Sequence, residues 1–279
     1  MTNTAVQAGA YLHHVAFESA DPRRLAAFYA DAMDMDVAQI SDTEWRCEGP
    51  KRRFVAVKGT DKTMAYAGMA CRDADGVAAI RARAEAEGIE ILPSVSPYFD
   101  DDAFAVRDQD GHLICFGLAP QQTNSRKGIQ GPTQHLTFAS RDVQGFIDFY
   151  VGKLGFYLTD RVLHDDGTLA TAFTTSNFEH HTIACFKQDR VGVDHHSYEA
   201  GEWDYIRDWC DHLAARDIQL MWGPGRHGPG NNLFIFIKDP DDNWIEISAE
   251  LEVIYDRPVK DWPQHPRTLN QWGKAIMRS

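Results

Sequence analysis

The sequence is short of the features that define several protein classes. Its five cysteines (Cys47, Cys71, Cys115, Cys185 and Cys210) are odd in number and scattered. None forms a CxxC pair, which argues against a disulfide framework and a thiolate zinc site. No HExxH zinc-protease motif occurs. No apolar run approaches the roughly 20 residues that span a bilayer. The opening MTNTAVQAGAYLHH has neither a basic region nor a long apolar stretch, so the expectation is a cytoplasmic protein. Basic charge is also scarce. A formal charge of -13 argues against nucleic acid and anionic membranes as partners, since both reward basic patches.

What is present is ordinary in amount and informative in order. With 279 residues, 43% hydrophobic and 25% charged, the chain can build one large domain or two small ones. Comparing the chain with itself reveals a repeat. LHHVAFESADPRRLAAFY (12 to 29) matches TQHLTFASRDVQGFIDFY (133 to 150), with His14 on His135 and Asp21 on Asp142. Each copy reads as a strand, then a helix capped by the aspartate, whose carboxylate accepts free amide protons of the first turn. A second helix follows in each copy, near 73 to 87 and 202 to 216. The closing strands also match, VRDQDGHLICFG on IKDPDDNWIEIS. The polar segment 121 to 131 reads as a linker. The expectation is an α+β protein of paired βαβββ modules, with domains at 10 to 120 and 132 to 250. The Pro- and Trp-rich tail, 251 to 279, is expected on the surface or at a subunit contact.

The C-terminal copy carries metal-ligand types that its partner lacks. His135 lies on its first strand, His196 in GVDHHSYE, and Glu246 in WIEIS, on the face opposite Ile245 and Ile247. A carboxylate in so apolar a strand calls for a partner or a metal. Aligned positions in the first copy are His14, Ala67 and Cys115, so only the histidine survives there. Two imidazoles and one carboxylate form the facial triad associated with Fe(II) oxygenases, and the donors suit Fe(II) or Mn(II). His195 is expected to face away, because strand neighbours alternate. Asp194 and His180 read as solvated. Phe173, Phe178, Phe186 and Trp222 are candidates for a pocket wall, with core packing as the alternative.

With these motifs in place, the sequence resembles the type I extradiol ring-cleavage dioxygenases of the vicinal oxygen chelate superfamily, over about residues 11 to 250. The resemblance rests on HHT (180 to 182), DHH (194 to 196), GPGRHG (223 to 228) and KDPDDNWIEI. It implies two vicinal oxygen chelate domains, each a cupped mixed sheet, with no metal site in the first. It implies catalysis by His181 as acid–base and a substrate- or oxygen-facing His227, with His135, His196 and Glu246 on the metal. The implied partners are a catechol-type diol and O2, and the implied assembly is a homo-oligomer. Phe236 stands ten positions before Glu246, where most of the family carries a tyrosine. Losing that hydroxyl removes a charge-assisted hydrogen bond of about 1.5 to 3 kcal/mol. Two other activities stay open on the same scaffold: a metal-dependent isomerase or lyase that stabilises an enolate, and an aromatic-ligand binding protein.

Overall fold

The computed structural model describes residues 3 to 120 and 128 to 277; most of the expected linker, 121 to 127, lies outside them. The first half runs β1 (Tyr11–Ser19), α2 (Pro22–Ala32), β2 (Asp36–Ser41), β3 (Glu44–Gly49) and β4 (Arg52–Lys58), after a short α1 (Thr4–Gln7). A second module follows: β5 (Met64–Ala70), α3 (Ala74–Ala86), β6 (Leu92–Pro93), β7 (Phe104–Arg107) and β8 (Leu113–Gly117). The other half repeats this order with β9 (Thr133–Ser140), α4 (Val143–Ile147), β10 (Tyr157–Leu163), β11 (Leu169–Thr175) and β12 (Ile183–Lys187). Its second module is β13 (Gly192–Gly201), α5 (Trp203–Ala214), β14 (Trp222–Arg226), β15 (Leu233–Lys238) and β16 (Trp244–Ala249). The tail adds β17 (Lys260–Pro263) and α6 (Pro266–Leu269). The expected α+β fold of paired βαβββ modules is therefore present.

Local chemistry explains the starts of the matched helices. Asp21 accepts from the Arg24 amide at 3.1 Å, and Asp142 from the Gly145 amide at 2.9 Å. In each half the two modules join through their first strands. β1 pairs antiparallel with β5, and β9 with β13. The sheet orders are β2-β3-β4-β1-β5-β8-β7-β6 and β14-β15-β16-β13-β9-β12-β11-β10-β17. Period-two alternation sends one face of each sheet into a large core shared by both halves, including Phe17, Phe54, Phe138, Tyr150, Trp209 and Ile247. Arg52 fastens the halves. Fully buried, its guanidinium donates to the carbonyls of Met33 (2.7 Å), Asp34 (3.0 Å) and Ile129 (2.8 Å). Among the described residues, no helix is long and apolar enough to cross a membrane.

The opposite face of the first sheet is filled by its own side chains. Tyr98 and Phe99 pack on His14 with ring centroids 4.8 and 5.2 Å away, and the Ser96 hydroxyl lies 3.0 Å from His14 Nε2. Gly68 lies beneath the same ring, where an added Cβ would sit 1.9 Å from His14 Cε1. Gly68→Ala is therefore expected to destabilise the fold by about 1 to 3 kcal/mol through overpacking. Adding His14→Ala should recover part of that loss. Urea unfolding of the two single variants and the double checks this; simple additivity would contradict the contact.

Candidate metal centre

Three adjacent central strands of the second sheet supply the site: β9, β13 and β16. His135, His195 and Glu246 offer ligand atoms that all lie within 4.8 Å of one another, and all three residues are buried. His135 Nε2 is 2.9 Å and His195 Nε2 3.3 Å from Glu246 Oε2. His227 Nε2 approaches the other oxygen at 3.5 Å. Burial alone would oppose ionisation of Glu246, but the surrounding imidazoles outweigh it and hold the carboxyl well below its ordinary range. Burial dominates at His135 and keeps it neutral by lowering its pKa. At His195 burial is outweighed by Asp194 and Glu246, so the pKa is raised.

Each histidine is oriented from behind. Gln134 donates through Nε2 to Glu179 at 3.0 Å and to Glu199, which leaves its oxygen to accept from His135 Nδ1 at 3.2 Å. Asp194 Oδ1 accepts from His195 Nδ1 at 2.7 Å. With Nδ1 engaged behind, each ring aims Nε2 at Glu246, the nitrogen that a bound metal would take. The donor set, two imidazole nitrogens and a carboxylate converging in a buried cluster, fits a divalent ion.

This corrects the ligand set at its middle member. His196 points to the opposite face, into the core. Its Nε2 meets the Tyr29 hydroxyl at 3.1 Å, and Phe17 packs on it with centroids 5.3 Å apart. Burial depresses its pKa to about 3, so it is a neutral core residue. The usable signal was alternation counted from Tyr198 and Ala200, which lie in the core and carry His196 to the same side. Register corrects the first copy too. His195 faces Thr137, two residues beyond His135; the residue facing Ala16, two beyond His14, is Tyr66. The counterparts are His14, Tyr66 and Cys115, not His14, Ala67 and Cys115.

The site forms the floor of a cavity. His135, Thr137, His181, His195, His227, Asn232 and Glu246 line its polar end, and Val162, Phe173, Phe186, Pro229, Leu269 and Met277 wall the rest. No lysine or arginine is among the lining residues. The His181 ring stands 4.2 Å from that of His135. Burial, with His135 and His180 nearby, holds its pKa well below the ordinary value. His227 Nδ1 donates to the Leu269 carbonyl at 2.5 Å. Phe173 and Phe186 reach the cavity, whereas Trp222 and Phe236 stack on each other behind it, outside the lining. Phe236 still lies opposite Glu246 in the ladder and edge-on to His195 at 5.3 Å. Phe178 is 66% exposed and takes no part. Asp194 and His180, expected in solvent, are buried beside site histidines. The tail was also missed. β17 joins β10, and Gln264, Thr268, Leu269 and Met277 line the cavity. Proximity of this kind, from a segment of no periodicity, leaves no local signal.

The geometry thus defines a two-domain protein with one cupped sheet equipped to bind a divalent metal. The family model described as Glyoxalase/Bleomycin resistance protein/Dioxygenase superfamily matches residues 11–116 and 133–247, and the chain belongs to that superfamily. Metapyrocatechase 2 of Cupriavidus necator is 25% identical over 298 residues, covering 95% of this chain and 89% of the relative. Metapyrocatechase of Pseudomonas sp. (strain CF600) is 28% identical over 148 residues, 49% of this chain and 48% of the relative. In fold the chain resembles homoprotocatechuate 2,3-dioxygenase of Brevibacterium fuscum, whose structure holds 3,4-dihydroxyphenylacetate. That likeness has a TM-score of 0.83 at 21% identity and covers 95% of this chain and 89% of that one.

The corrected ligand set separates two neighbouring histidines. His195→Ala should lower metal affinity by at least about 100-fold. His196→Ala should leave one metal per folded chain while lowering stability by about 2 to 4 kcal/mol through a cavity and an unpaired Tyr29 hydroxyl. Metal analysis after dialysis, alongside thermal unfolding, reads both; metal loss in His196→Ala alone would reinstate that residue.

Proposed function

We propose that the chain is an extradiol dioxygenase that opens a catechol-type aromatic diol with O2 at a metal held by His135, His195 and Glu246. One observation carries this reading: three buried ligand atoms converge at the floor of a cavity with aromatic walls. The metapyrocatechase relatives support the same class, an oxidoreductase. A divalent metal, Fe(II) by donor type with Mn(II) as the alternative, would supply a template holding diol and O2 side by side. His181, neutral and at the cavity wall, is suited to take a proton from a substrate hydroxyl and return it later. His227 is placed to hydrogen-bond a ligand beside Glu246. Phe173 and Phe186 would hold the ring. Phe236 offers no hydroxyl at the family's tyrosine position, which leaves proton handling to the histidines. Assembly as a homo-oligomer and a cytoplasmic location complete the proposal and rest on the family resemblance and the sequence.

The test is oxygen uptake by Fe(II)-loaded protein prepared without oxygen, using a small panel of catechols. A yellow ring-opened product is expected, lost in His135→Ala and Glu246→Ala. His181→Asn should reduce kcat by about 10² to 10⁴-fold. Full metal loading with no uptake across the panel would favour the isomerase or lyase reading.

A further inference from the structure

Behind His181 lies a buried polar chain that the metal centre does not use. His180 Nδ1 and His181 Nδ1 are 2.9 Å apart, so one must donate and the other accept. His180 Nε2 lies 3.1 Å from Asp160 Oδ2, at an angle bent from that of a straight hydrogen bond. Two tail residues reach the same carboxylate: Trp262 Nε1 donates to Oδ2 at 2.6 Å, and the Arg257 guanidinium forms an ion pair with Nη1 2.8 Å from Oδ1. Asp160 and His180 are both fully buried.

The donor rules give this chain one direction. Tryptophan and arginine can only donate, and an ionised carboxylate can only accept. Burial opposes ionisation of Asp160, but His180, Trp262 and Arg257 outweigh it and hold the carboxyl below its ordinary range, so it is ionised. As a neutral ring, His180 then carries its proton on Nε2, the nitrogen that faces Asp160. Its Nδ1 is then bare and accepts from His181 Nδ1–H. That leaves His181 Nε2, on the far side of a ring that lines the cavity, without a proton. We propose that Asp160, acting through His180, is a positioning residue that fixes His181 in the tautomer able to accept a substrate proton. Phe173 keeps both rings in place, with centroids 5.4 Å from His180 and 5.2 Å from His181. Arg257 and Trp262 belong to the tail, so the segment that closes the cavity also anchors the carboxylate that orients the base. The catalytic consequence rests on the ring-cleavage reading above; the tautomer does not.

Imidazole ¹⁵N resonances of the metal-free protein report tautomers directly. The wild type should show His181 protonated on Nδ1 and His180 on Nε2. Asp160→Leu, which removes the acceptor at similar volume, should move His181 toward a mixture of tautomers. In the metal-loaded enzyme the same variant should lose about 10²-fold or more in kcat, with KM and metal content within about threefold of wild type. His180→Phe keeps the ring packing without the relay nitrogen, and should show the same kcat loss even if Asp160→Leu folds poorly. A wild-type His181 protonated on Nε2, or an unchanged tautomer in Asp160→Leu, would overturn the proposal. So would a kcat loss matched by equal changes in KM and metal content. A wild type inactive on every catechol would sink the ring-cleavage reading and leave the tautomer result standing.

Discussion

Everything in the site depends on strand register in the centre of the second sheet. β9 lies between β12 and β13, and β13 lies between β9 and β16, so three side chains far apart in sequence become neighbours on one face. Because the side-chain period is two, a slip of one residue in β13 would exchange His195 for His196. The exchange would put the Tyr29 partner into the cavity and a ligand into the core. Tyr198 and Ala200 on one side, with Ile245 and Ile247 on the next strand, lock the register through burial in the shared core. The core thus sets the site as much as it sets the fold.

The two halves show what a shared scaffold does and does not supply. Both sheets place a histidine at the same point of the first strand, His14 and His135. In the first half Tyr66 and Cys115 replace the other two donors, and Tyr98 and Phe99 fill the space that a ligand would need. In the second half the corresponding space is left open and closed from above by the tail. Function therefore lies in a few side chains grafted on one copy, while the other copy contributes Phe17, Tyr29 and Phe54 to the wall of core behind the site.

Much of this was legible in the sequence. The repeat revealed the modules because each copy preserves a cap aspartate, Asp21 or Asp142, and a helical run of apolar residues. His135 and Glu246 stood out because each contrasts with its strand surroundings. The adjacent pair His195-His196 was ambiguous because both types are identical; only the identity of the core-facing neighbours Tyr198 and Ala200 separates them. Asp194 and His180 read as solvated and Asp160 carried no signal at all, since their partners include Gln188, Trp262, Arg257 and the site histidines, which only the fold brings together. The lining contributed by Leu269 and Met277 depends on tertiary packing of the tail, to which no periodic pattern in the sequence points.

The central claim is that His135, His195 and Glu246 form one metal site and that the first sheet forms none. Anomalous diffraction from crystals of metal-loaded protein tests it most directly. The account predicts a single strong peak bonded to His135 Nε2, His195 Nε2 and a Glu246 carboxylate oxygen, with no protein ligand from His196. A peak beside His14 and Cys115, or one ligated by His196, would contradict it.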